Sequence, residues 1–172
     1  FEGEVQAAAH GDAVALKVEG HATYALSRDV REFAARMRQD GVSRFEVYLS
    51  ECNAMDSTFI GTLAMVAMSQ EAPDTQVVLN NTPNPILETL RDLGIANLFH
   101  FEENAEPPLS WSTLVENTPN RSTSSANLKM NMLDAHETLT RLNPGNAARF
   151  KHVVSILREE LGVASGSTDE TG

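Results

Sequence analysis

A chain of 172 residues with 41% hydrophobic and 22% charged side chains is globular in composition and long enough for one domain with an appendage or two small ones. Its 24 Asp and Glu against 13 Lys and Arg give a net charge of -11, which leaves no basic footprint for a phosphate backbone or an anionic bilayer, so neither nucleic acid nor membrane is an expected partner. The single cysteine, Cys52, rules out an intramolecular disulfide and a cysteine zinc cluster and fits a reducing, cytoplasmic compartment, and no apolar run approaches the roughly 20 residues of a membrane span. The start Phe1-Glu2-Gly3-Glu4 has neither the basic residues nor the apolar run of a signal peptide, and the missing initiator Met is expected of a trimmed or partial chain.

Residues 5–10 and 13–19 are small or apolar stretches separated by Gly11-Asp12, a pair suited to a tight reversal, which predicts an opening β-hairpin. Ser27 then stands before Val30, Phe33, Ala34 and Met37, spaced as one helical face that Gly41 ends. Phe45, Val47 and Leu49 alternate as a third strand. A polar loop over 50–55 leads into a helix with Ile60, Leu63, Ala64 and Ala67 on one side. Pro73-Asp74 closes that helix, residues 76–79 form a fourth strand, Asn84-Pro85 caps and starts a helix ending at Gly94, and residues 99–101 form a fifth strand. The order β-β-α-β-α-β-α-β predicts helices packed on a mixed sheet over residues 1–104.

The character changes beyond that point. Glu106-Pro107-Pro108 and the polar stretch 118–125 read as a linker over 105–124 around an apolar island at Leu109, Trp111 and Leu114. Leu128, Met132, Ala135, Leu139 and Leu142 form one helical stripe, and Phe150, Val153, Val154, Leu157 and Leu161 a second. Asn143-Pro144 sits between them, with Asn143 placed to cap the second helix, so residues 125–162 read as an αα-hairpin extension. Met130, Leu133 and Ile156 lie off the stripes and predict contact with the α/β module or with a second copy of the chain, that is, a homodimer. Residues 163–172 are small and polar and read as a disordered tail. The first 104 residues hold 16 acidic and 7 basic side chains, a net of -9, and the rest 8 and 6, a net of -2, so the acidic module is the part steered toward a basic partner.

The chemistry-bearing stretch is residues 45–63, where a strand delivers the chain to Asp56-Ser57 at the start of a helix. Either side chain can accept from the free N–H groups of the first turn, and the positive end of the helix dipole favours negative charge there, so Ser57 is a place to add a phosphate as well as a plain N-cap. No His lies near Ser57 in sequence and the Gly-x-Ser-x-Gly elbow is missing, so a serine nucleophile lacks its base; His21, after the second strand, is the one side chain able to approach the same rim. His10, His21, His100, His136 and His152 have no metal spacing, and His136-Glu137 is not followed by a second His one turn on. The glycines form neither a dinucleotide fingerprint nor a phosphate loop, Cys52 reads as a packed small residue, and no cofactor, metal or catalysis is expected.

The run Leu49-Ser50-Glu51-Cys52-Asn53-Ala54-Met55-Asp56-Ser57-Thr58-Phe59-Ile60-Gly61-Thr62-Leu63 resembles the signature loop of STAS domains, the anti-sigma-factor antagonist family, in which a strand ending in Asp-Leu-Ser precedes a Met/Ile-Asp-Ser-Ser-Gly-Leu-Gly type segment. Gly20, Gly94 and the Leu98-Phe99 ending fall where the family places a Gly, a Leu-Gly step and a Leu-Phe close, so the resemblance covers roughly residues 5–103. Thr58-Phe59 stands where the family has Ser-Gly, and Gly20-His21-Ala22-Thr23 where it has Gly-x-Leu-Asp. The resemblance implies an α/β (α+β) fold with a STAS-like mixed sheet, here with a C-terminal two-helix extension. It implies phosphorylation at Ser57, with Thr58 as the fallback, and a partner surface comprising His21, Thr23, Asp56, Ser57, Thr58 and Phe59. The implied partner is an anti-sigma factor with serine-kinase activity, sequestered by the unphosphorylated form, with a phosphatase to reset the switch. A second reading keeps the fold without the switch, as a STAS subunit or scaffold of a transporter ATPase or sensory assembly.

Overall fold

The computed structural model describes residues 3–69, 72–114 and 124–162, which form a mixed α/β fold. Strands β1 (Glu4–His10) and β2 (Ala13–Ala22) make the antiparallel hairpin predicted by Gly11-Asp12, with Glu4 opposite Glu19 and His10 opposite Ala13. From β2 the sheet continues in parallel through β3 (Arg44–Tyr48), β5 (Gln76–Asn80) and β6 (His100–Glu102). Parallel neighbours need crossovers, and α1 (Tyr24–Gln39), α2 (Ser57–Ala67) and α3 (Asn84–Asp92) supply them. Val18, Phe45, Leu49, Phe59, Leu63 and Leu90 are among the largest fully buried side chains.

Several boundaries differ from those expected. The supposed polar loop carries β4 (Cys52–Met55), which pairs in parallel with the far half of β2, Gly20 facing Cys52 and Ala22 facing Met55, because β3 extends only as far as Lys17 of that strand. The register shifts between Gly20 and His21, and Gly20 takes a φ of +74, a conformation that a side chain at this bulge would strain. Helix α1 is capped by Thr23, whose hydroxyl accepts from the Ala25 N–H at 3.3 Å, and not by Ser27, whose hydroxyl instead donates to the Thr23 carbonyl. Pro83 holds the cap position of α3, so Asn84 and Pro85 are its first helical residues. The expected linker carries a two-residue strand, β7 (Ser112–Thr113), beside β1, and Trp111 meets the Tyr48 ring edge-on at 6.1 Å with the Lys17 ammonium over it.

The helices α4 (Ser125–Leu142) and α5 (Asn146–Leu161) form the expected hairpin. Gly145, not Asn143, precedes α5; Asn143 accepts from the Gly145 N–H and donates to the Leu93 carbonyl, fastening the turn to the end of α3. Helix α4 lies along α2 and touches α1, and Leu139 and Phe150 enter the main core, so the third surface foreseen for this pair is the α/β module. Leu133 is buried, whereas Met130 and Ile156 stay 40% and 53% exposed. The expected disordered tail at 163–172 and most of the polar stretch 118–125 lie outside the described residues.

One ionic cluster on the sheet makes a pH prediction. Burial raises the Glu46 carboxyl pKa, but hydrogen bonds from His10 at 2.6 Å and Arg44 at 2.9 Å outweigh it and hold the group below its ordinary 4.5. A depressed folded pKa stabilises the fold above the unfolded value and loses that contribution as pH falls through the folded one. Glu46→Gln is expected to cost about 1–3 kcal/mol in urea melts at pH 7, the size of a charged hydrogen bond, with the gap to wild type closing below pH 4.5.

Candidate functional site

Strand β4 runs straight into Asp56, the N-cap of α2, and the two Asp56 oxygens serve two helices. Oδ1 accepts from the Phe59 N–H at 2.8 Å, capping α2, and Oδ2 accepts from the Tyr24 N–H at 2.7 Å, at the first residue of α1. The Asp56 N–H in turn donates to the Ala22 carbonyl at 2.9 Å. Two helix N-termini therefore converge on one carboxylate, with Thr23 beside it as the cap of α1. Ser57 occupies the first helical position of α2 and is half-buried.

Ser57 does have a histidine. Its Oγ lies 2.8 Å from Nε2 of His136, contributed by α4 from 79 positions further along the chain. His136 is 3% exposed; its Nδ1 is 2.7 Å from the Met132 carbonyl, and its ring packs edge-on to Phe150 at 4.8 Å. A carbonyl can only accept, so in the neutral ring Nδ1 carries the proton, Nε2 is the acceptor and the Ser57 hydroxyl donates to it. The sequence-level expectation that no base reaches Ser57 is thus corrected: the fold supplies one. Two cavities of about 510 and 540 Å³ among the described residues are lined by residues such as Arg141, Lys151 and Arg158 or Met65, Met68 and Asp134, and by neither Ser57 nor His136.

The contact between α2 and α4 extends beyond this pair. Asn131 Nδ2 donates to Thr62 Oγ1 at 3.3 Å, Thr62 donates to the Thr58 carbonyl, and Arg31 from α1 donates to both Asn131 Oδ1 at 3.1 Å and Asp134 Oδ2 at 2.8 Å. Gly61 lies against the α4 backbone: a Cβ there would stand 2.6 Å from the Ala135 carbonyl oxygen. Helix α2 is sandwiched, with Thr58 to Ala64 all buried.

The other residues singled out fall in two groups. His21 is exposed on the edge where β2 meets β4, and Thr23 is half-buried at the cap of α1; among the described residues no hydrogen bond joins His21 to Ser57. Thr58 and Phe59 point inward at 3% and 1% exposure, so of the two adjacent hydroxyls Ser57 is the more accessible. Burial pushes the Cys52 thiol pKa up, outweighing hydrogen bonds that favour the thiolate. Titration of the native chain with an aromatic disulfide is accordingly expected to find no fast thiol, and full stoichiometry only in denaturant. Sequence reasoning missed His136, yet residues 57–68 contain no charged side chain, and a helix uncharged all round needs cover on both faces. That signal called for a second covering element, and the stripes of α4 and α5 were the available one.

No helix among the described residues is long and apolar enough to cross a membrane, and they hold no group of three metal-ligating side chains. No curated protein matches the chain. Among solved structures, one titled as the anti-sigma factor antagonist SpoIIAA in its unphosphorylated form is similar at 17% identity, with a TM-score of 0.48 over 59% of this chain and 89% of that one. A family model described as "Mlab, STAS domain" matches residues 5–100, from the first strand to the start of the sixth. With that stretch exceeding half of the sequence and containing β4, Asp56, Ser57 and all of α2, the chain belongs to the STAS domain family.

Proposed function

We propose that this chain is a cytoplasmic regulatory module, an anti-sigma-factor antagonist that acts by binding and is switched off by phosphate on Ser57. The observation that carries the reading is the position of Ser57 as first residue of α2, directly after the carboxylate on which two helix N-termini converge. First-turn N–H groups can hold a phosphate of about -1.5 to -2 charges, and burying that dianion beneath a docked partner carries a desolvation and steric penalty that opposes binding. Unphosphorylated, the module sequesters an anti-sigma factor with serine-kinase activity, and a phosphatase returns it to that state. The chain turns over nothing on its own: His136 can take a proton from Ser57, but none of the described cavities is lined by either residue.

Phosphopeptide mapping of the chain recovered from its own cells is expected to find phosphate on Ser57 and none on Thr58. Pull-downs with wild type are expected to retain a serine kinase that Ser57→Asp loses. Equal retention by wild type, Ser57→Ala and Ser57→Asp contradicts the switch. It would favour the second reading, a STAS subunit or scaffold in which Ser57 is structural, which the Ser57–His136 hydrogen bond also supports.

A further inference from the structure

Helix α4 covers the face of α2 that begins at Ser57, and it is bonded to that serine. A phosphate on Ser57 needs its outer oxygens about 2.8 Å from a donor nitrogen. The His136 nitrogen already stands 2.8 Å from Oγ itself, so the imidazole lies within the reach of a phosphate's outer oxygens and the two must share the space around Oγ. The ring is held where it is, with Nδ1 tied to the Met132 carbonyl and its edge against Phe150. Helix α4 cannot settle differently on α2 either, because Gly61 leaves no slack beneath the Ala135 carbonyl and the Arg31–Asp134 pair fixes the outer edge.

We propose that the α4–α5 hairpin is an intramolecular occupant of the partner-docking surface: docked, it shields Ser57 from a kinase and covers α2; released, it exposes α2 to a partner. The proposal rests on the reading of Ser57 as the phosphorylation site. The partner it fits presents a helix with a small residue opposite Gly61 and a polar side chain opposite Thr62, the roles that Ala135 and Asn131 fill within the chain. Residues 125–162 carry five basic and four acidic side chains against the net -9 of the module, so a competing partner surface is at least as basic. In the released chain the Ser57 oxygen bonds to the γ-phosphorus of the kinase's ATP, the bond to the ADP oxygen breaks and the hydroxyl proton passes to the kinase's base. Because the occupant belongs to the same chain, the apparent affinity of any partner is reduced by the fraction of molecules with the hairpin released.

The test uses the full chain with Ser57→Cys and a bulky uncharged maleimide as the probe, with wild type measuring the background from buried Cys52. Two further changes loosen the hairpin independently. Gly61→Val drives a side chain into the Ala135 backbone, and Asp134→Arg sets like charges against Arg31 at the surface, where the fold is not at risk. Gly61→Val is expected to speed labelling of Cys at position 57 by about tenfold or more, as overpacking by one side chain does, and Asp134→Arg, which loses a partly exposed ion pair and adds a like charge, by about two- to fivefold. Equal rates in Ser57→Cys alone and with Asp134→Arg, the circular dichroism unchanged, would overturn the proposal. No kinase enters this measurement, so it fails or succeeds separately from the phosphate mapping: slow, releasable labelling in a chain whose Ser57 never carries phosphate in the cell would support the cover and sink the switch.

Discussion

Asp56→Ala is expected to lower stability by about 2–3 kcal/mol, because one carboxylate caps α2 and also accepts from the first N–H of α1, and each lost cap costs roughly 0.5–2 kcal/mol. In a chain of this size that corresponds to a melting temperature lower by about 5–10 °C. Asp56→Asn keeps one acceptor oxygen and turns an amide donor toward the second N–H, so it is expected to fall between wild type and Asp56→Ala. Thermal melts of the three proteins order them. A melting temperature for Asp56→Ala within a degree of wild type would mean that water or Thr23 caps these helices adequately without the carboxylate.

Leu139→Ala is expected to cost about 2–5 kcal/mol, the range for a fully buried leucine whose cavity cannot collapse. Leu139 belongs to α4 but is part of the core that also holds Phe59, Leu63 and Leu90, so the cost should appear in the main unfolding transition and not in a separate early one. Ile156→Ala, at an exposed position of α5, is expected to stay within about 0.5 kcal/mol of wild type. Urea unfolding followed by far-ultraviolet circular dichroism distinguishes the cases. A Leu139→Ala chain that melts like wild type would show the hairpin to be energetically separate from the module. The same cost explains why release of the hairpin is a rare event that a strained contact at Gly61 or a repulsive one at Asp134 can accelerate.

Most of the α/β order was legible because alternation and helical spacing are strong in residues 5–49 and 76–93, and Asp56-Ser57 was recognisable as a helix start from its residue types alone. The failures have local causes. Thr23 and Ser27 are both good N-caps, and only the bulge at Gly20, which carries β2 on to Ala22, decides for Thr23. Strand β4 is four residues of mixed polarity whose pairing depends on where β3 stops along β2. The second Asp56 bond and the Ser57–His136 bond join positions 32 and 79 residues apart, and no short-range pattern encodes them. The hairpin itself was readable, but its seat on α2 was not, although an uncharged α2 with Gly61 midway along it required a close-fitting cover.

Installing phosphoserine at position 57 of the full chain and following amide hydrogen exchange along α4 tests most directly whether the serine switch and the hairpin are one device. If the phosphate displaces the imidazole of His136 from the space around Oγ, α4 loses protection by tenfold or more while β2, β3 and β5 keep theirs. Undiminished protection of α4 in the phosphorylated chain would contradict the account, because phosphate and hairpin would then share the N-terminus of α2.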